Sequence, residues 1–248
     1  MLQTLFVKLE TTEEQHNALK ETMRQFNDAC NYIVNIAFEM GTANKIKLQK
    51  VVYYDVRNKF KLSAQLTIRA IAKACEALKR DKTIKPEFRP DGAIVYDQRI
   101  LSWRKLEAVS ILTNNGRHII SIRIGDYQKE RLDRIRGQAD LILRDGIFYL
   151  AVVVEVPEPT KFDAVGTLGI DLGIVNITTD SDGETVKGSH VDKLREKSAK
   201  LRANLQKAGT KFAKRHLKKH SGKESRFHRH VNHCISKKIV AKAKDTRQ

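Results

Sequence analysis

From Asp192 to the last residue, nineteen Lys and Arg stand against four acids, Asp192, Glu196, Glu224 and Asp245. A segment so charged must keep most of its surface in water, because a charge buried without a partner is too costly. It carries +15 of the chain's formal +18, leaving only +3 for the first 191 residues. A solvated helical face normally mixes both signs. This one does not, and the imbalance is the electrostatic footprint of a polyanion, with nucleic acid favoured over an anionic membrane. Leu194, Leu201, Leu205, Phe212 and Leu217 draw a thin apolar seam through 193–219. Phe227, Val231, Ile235 and Ile239 recur every four residues in 224–244. The expectation is two long basic helices separated at Ser221-Gly222.

The remaining sequence sets outer limits. At 248 residues there is room for one large domain or two modest ones. No run of about 18 apolar residues exists, so no membrane span is expected. The start, MLQTLFVKLE, lacks the basic and apolar regions of a signal peptide. Cys30, Cys75 and Cys234 are isolated, making neither a disulfide framework nor a zinc-binding C-x-x-C pair. A reducing cytoplasm is the expected location.

LFVKLE near the start alternates like a strand. Thr11 with Glu14 then reads as a capping box opening a helix. Its apolar stripe is Leu19, Met23, Phe26, Cys30, Ile33, Ala37 and Met40, ended by Gly41. Two more helical stretches, about 46–61 and 64–80, carry Val51, Tyr54 and Phe60, then Leu66, Ile71, Cys75 and Leu78, with Ser63 as an N-cap. After Lys82 the texture becomes β: EFRPDGAIVYD, AVSILTNNGRHIISIRIG and ADLILRDGIFYLAVVVEV. Asn115-Gly116 and Asp145-Gly146 are hairpin dipeptides, and Trp103 and Phe148 are core candidates. Pro157 and Pro159 mark a domain boundary. Beyond it, TLGID, VNITTD and ETVKG read as a small antiparallel sheet turned at Ser181-Asp182-Gly183.

Asp171 lies where the first of these strands meets a glycine turn, in GIDLGIVNITTDSDG. An acid at that place in a three-stranded meander is how RNase H-like nucleases begin, where carboxylates hold Mg²⁺ ions that activate water. The local alternative is a turn aspartate capping the glycine backbone. An ATPase reading, with a phosphate-cradling turn, fails because Gly173-Ile174-Val175 offers no hydroxyl. Asp180, Asp182 and Glu184 fall on a turn and its flanks and read as solvated.

Together GIDLGIVNITTDSDG, KFAKRHLKKHSGKESRF and the N-H-x-x-S-K run Asn232-His233-Cys234-Ile235-Ser236-Lys237 resemble the OrfB/TnpB proteins of insertion sequences, relatives of type V CRISPR effectors. The resemblance implies an α+β fold. A β-barrel-like, wedge-type unit over 1–160 would carry a recognition-like helical insertion at about 12–80. The first half of an RNase H/RuvC-like nuclease domain, with long basic helices, would fill 164–248. It also implies an RNA-guided DNA endonuclease of the transposase class encoded by a transposable element, with guide RNA and DNA as partners, and Mg²⁺ held by an Asp, Glu, Asp set. Asp171 matches the first of the three. The family's Glu strand, zinc ribbon and final Asp have no counterpart before KAKDTRQ ends the sequence, so a truncated, non-cleaving chain is expected, or a repurposed DNA- or RNA-binding regulator.

Nucleic-acid contacts are expected from Lys193, Arg195, Lys197, Lys200, Arg202, Lys207, Lys211, Lys214, Arg215, Lys218, Lys219, Lys223, Arg226 and Arg229, with Asn232, His233, Ser236 and Lys237. His216 and His220 have zinc-like spacing, but no thiolate pair completes a site, and with His228, His230 and His233 they read as polyanion-facing. Without the Glu strand, 167–172 should expose an unpaired edge, open to a complementary C-terminal fragment or to self-association.

Overall fold

Leu5, Val7 and Leu9 are buried while their neighbours face out, the period of two that makes β1 (Leu2–Glu10). The computed structural model describes residues 1–81, 83–158 and 163–247. The chain forms two compact units, Met1–Glu158 and Pro159–Gln248.

In the first unit three helices follow β1: α1 (Glu13–Glu39), α2 (Lys45–Phe60) and α3 (Ala64–Arg80). The capping box of α1 is formed by Thr12 and Gln15, one residue beyond the expected pair. The stripe from Leu19 to Ala37 is buried, but Met40 is the C-cap and 45% exposed. In α2 the buried residues are Leu48, Val52 and Val56, whereas Val51 and Tyr54 face solvent. Both rows have helical spacing, and only the packing partner decides between them. Ser63 does cap α3, its side chain accepting from the Leu66 amide.

Seven strands form one antiparallel sheet: β1, β2 (Ile94–Tyr96), β3 (Leu101–Arg104), β4 (Ala108–Thr113), β5 (Gly116–Arg123), β6 (Ile135–Arg144) and β7 (Ile147–Glu155). A short helix, α4 (Asp126–Lys129), and a 3₁₀ turn lie between β5 and β6. The order is β2-β6-β7-β1-β5-β4-β3. Laid flat, seven strands would hold the two edges about 29 Å apart. Yet only residues 97–100 join β2 to β3, and such a link reaches roughly 18 Å. The sheet must therefore curl into a nearly closed barrel. Its seam is tied by the Tyr96 hydroxyl, which donates to the Leu112 carbonyl at 2.9 Å, and by the Leu112 amide to the Ile100 carbonyl at 2.9 Å. Arg69 of α3 grips Asp97 in the seam link, Nη2 to Oδ2 2.7 Å. One continuous core joins barrel and helices, with Phe148 buried and Trp103 packed half-buried at its margin.

Asp145 and Gly146 both take positive φ, the two-residue turn expected between β6 and β7. The other hairpin differs: Asn114 and Asn115 form the turn, and only Gly116, opening β5, has positive φ.

The second unit has a three-stranded antiparallel sheet, order β10-β9-β8, from β8 (Ile170–Leu172), β9 (Asn176–Asp180) and β10 (Thr185–Lys187). Among the described residues β8 pairs with β9 alone, so one edge of it is open. Two helices follow, α5 (Ser189–Ala208) and α6 (Lys211–Asp245). The break lies at Gly209-Thr210, not at Ser221-Gly222, which sits inside α6. Gly209 takes φ +63 and ends α5, while the Thr210 hydroxyl accepts from the Ala213 amide at 3.1 Å and starts α6. No helix is long and apolar enough to cross a membrane among the described residues.

Candidate nucleic-acid interface

The short turn between α5 and α6 makes them a helical hairpin. Ala213, Leu217, His220, Glu224, Phe227 and Val231 recur on α6 at steps of three and four, and all are buried or half-buried. Ser198 of α5 and Ala213 of α6 are almost wholly buried. Arg202 of α5 places Nη1 2.5 Å from Glu224 Oε2. That side chain is therefore committed within the hairpin.

Two residues along a helix rotate a side chain by about 200°. The row opposite the seam is therefore Lys211, Arg215, Lys218, Gly222, Arg226, Arg229 and His233. Every one but Gly222 is exposed, and no acid interrupts the row. Lys214, Lys219, Lys223, Asn232, Ser236 and Lys237 are exposed beside it, as are Lys193, Arg195, Lys197, Lys200 and Lys207 on α5. Phe212, expected in the seam, is 76% exposed next to the row. The buried position is its neighbour Ala213, because the helix begins after the Gly209-Thr210 break and this sets the rotation.

Asp171 is exposed and its carboxylate has no hydrogen bond or ion pair among the described residues. Gly173 explains part of the motif around it: a Cβ there would lie 2.8 Å from the Asn176 carbonyl oxygen, so the turn tolerates only glycine. Of the other acids of the sheet, Asp182 and Glu184 are solvent-exposed as expected, whereas the Asp180 side chain is largely buried, and all three face one lysine. Lys242 of α6 sets its Nζ 2.5 Å from Asp180, 3.1 Å from Asp182 and 3.5 Å from Glu184. Asp180 Oδ1 also accepts from the amides of Asp182 and Glu184. The hydrogen bond from Lys242 holds the Asp180 carboxyl below its ordinary range, and Asp180 raises Lys242 in turn. In sequence these acids looked like an ordinary turn because Lys242 lies 62 residues from Asp180.

The sheet register separates the two groups. Asp171 pairs with Thr179 and Ile170 with Asp180, so Asp171 and Asp180 face opposite sides. Ile170, Thr178, Asp180 and Val186 look across a small cavity at Ile235, Ile239 and Lys242. Asp171 therefore points away from α6. A Mg²⁺ centre of the expected kind needs several converging carboxylates. The residues present do not fit one: Asp171 stands alone, and Asp180, the neighbouring acid in the strand register, is turned to the other face and paired with Lys242. Among the described residues no three His, Cys, Asp or Glu are arranged to hold a metal ion.

Fold and face together define a two-unit α+β protein that presents a polycationic helical hairpin. Residues 151–247 match the OrfB_IS605 family, described as a probable transposase. Over this segment, less than half of the chain, it is similar to the OrfB proteins of insertion sequences. A search of curated proteins found no match. Among solved structures it is similar to a chain of a CRISPR-Cas12f ternary complex, at 15% identity and a TM-score of 0.39, over 93% of this chain and 62% of that one. A second is a Cas12f1–sgRNA–target DNA complex, at 12% identity and a TM-score of 0.31, over 100% of this chain and 71% of that one. The chain thus spans less than two thirds of the length of the first.

Proposed function

We propose that this protein binds nucleic acid through the outward row of α6 and does not cleave it unaided. The observation that carries the reading is the row itself: six basic or histidine side chains on one helical face, with no acid among them. Phosphodiester backbones are the polyanions such a row fits. Guide RNA and target DNA are the partners that the resemblance to the OrfB/TnpB proteins suggests. The second unit reads as the opening part of a RuvC-like domain, supported by a meander with an acid on its first strand and basic helices after it. The first unit reads as the wedge, with α1 to α3 as its recognition-like insertion.

A second reading, a non-catalytic DNA- or RNA-binding regulator, is favoured by the orphaned Asp171 and by the commitment of Asp180, Asp182 and Glu184 to Lys242. Binding measured across a salt series tests both. Log K should fall steeply with log salt, and Lys218→Gln or Lys211→Gln should each lower the slope by about 1. A flat dependence would remove the interface. With Mg²⁺ and guide RNA, cleavage of DNA should stay at background. Cleavage that disappears in Asp171→Ala would overturn the non-catalytic part and leave the binding part standing.

A further inference from the structure

Within the outward row of α6, the one position without a cationic or imidazole side chain is Gly222. Glycine is among the poorest residues for a helix interior, so its presence calls for a cause. The backbone supplies none: Gly222 is not among the positive-φ residues, and α6 runs through it without a break. Packing supplies none either. Among the described residues, a Cβ built there meets only Arg226 Nη1, at 3.4 Å, and that contact is the far end of a flexible side chain. What remains is close approach by something outside the chain.

We propose that Gly222 is where the phosphodiester backbone of bound DNA or RNA comes closest to α6, with Lys218 and Arg226 closing on it from either side. This deepens the nucleic-acid reading above and rests on it. Lys218 and Arg226 stand one turn before and one turn after Gly222, on the same face. Lacking a side chain, Gly222 leaves a notch between two cations. In the free protein the Arg226 guanidinium lies back over that notch. A phosphate entering it would receive charge-assisted hydrogen bonds from Arg226, which are stronger than neutral ones.

Binding of the full chain to a fluorescein-labelled DNA duplex, and to an RNA of the same length, tests this with Gly222→Ala, Gly222→Leu and Arg226→Ala. Gly222→Leu should weaken binding about tenfold at every salt concentration without changing the salt slope, since no charge is lost. Gly222→Ala should weaken it less while raising the thermal midpoint, which separates lost approach from lost folding. Arg226→Ala should lower the slope by about 1. The arm that loses affinity, DNA or RNA, identifies which backbone enters the notch. If the wild type binds with a steep salt slope and Gly222→Leu binds equally well to both probes, the notch is overturned and the interface survives. If the wild type binds neither probe, the interface fails and the notch with it.

Discussion

Lys242 decides what three carboxylates do. Asp180, Asp182 and Glu184 would otherwise repel one another across the β9–β10 turn, and one ammonium from α6 ties all three to the helix. The titration signs follow. Asp180 is depressed below its ordinary 3.8, chiefly by the hydrogen bond from Lys242, so its stabilising share is present above 3.8 and lost as pH falls through the depressed value. Lys242 is raised above its ordinary 10.5, chiefly by Asp180, so its share is present below 10.5 and lost as pH rises through the raised value. Lys242→Met should therefore lower the melting midpoint of the second unit at neutral pH. On the acid side the gap to wild type should close below 3.8, as Asp180 protonates. Melting followed by circular dichroism across pH checks this, and a gap unchanged well below 3.8 would disprove the clamp. None of it was legible beforehand, because ion pairing across 62 residues leaves no local pattern. Asp171 was found from its motif, but its isolation appears only in the register, which sends it to the face opposite Asp180.

At the scale of elements, helices and strands were readable wherever burial imposed a period. The stripe of α1 and the alternation of β1 follow one packed face each. The misreadings share one cause: several local signals compete and tertiary contacts choose. The basic segment holds two glycine-bearing dipeptides, Gly209-Thr210 and Ser221-Gly222, of which only the second is expected to break it. The first won because it supplies both a left-handed stop and a hydroxyl cap, each satisfying helix-end groups, whereas a lone interior glycine costs a helix only about 1 kcal/mol. Substitutions at the two sites should therefore act with opposite signs. Gly209→Ala forces a side chain into φ +63 and should destabilise the hairpin by about 1 kcal/mol or more. Thr210→Ala should add a loss of about 1 kcal/mol. Gly222→Ala should stabilise by up to about 1 kcal/mol, since the added Cβ meets only the flexible end of Arg226, at 3.4 Å. Urea unfolding of the three variants measures this, and a destabilised Gly222→Ala would mean the helix needs that glycine.

At the scale of the whole molecule, the two units differ most in what they bury. The first encloses a continuous core running from Leu5 through the helices to Val156. In the second, Ala213 and Ile235 are the buried apolar side chains among the described residues, accompanied by Thr178 and Ser198. Leu172, Ile174 and Val175 stand 75%, 81% and 79% exposed at the end of the open strand β8. Two copies pairing antiparallel about Asp171 would set like charges opposite each other, which disfavours that form of self-association. So little apolar burial leaves the second unit close to the limit of stability, further strained by repulsion along α6. A polyanion that binds the folded hairpin relieves that repulsion and stabilises the unit by mass action. Hydrogen exchange should therefore show amides of 163–247 opening with a smaller free energy than those of β1, β5 and β7. Saturating nucleic acid should raise protection along α5 and α6 while leaving the barrel unchanged, and high salt should reverse the gain. Equal protection of the two units without nucleic acid would contradict this ordering. A gain in the barrel alone would move the binding surface to the first unit.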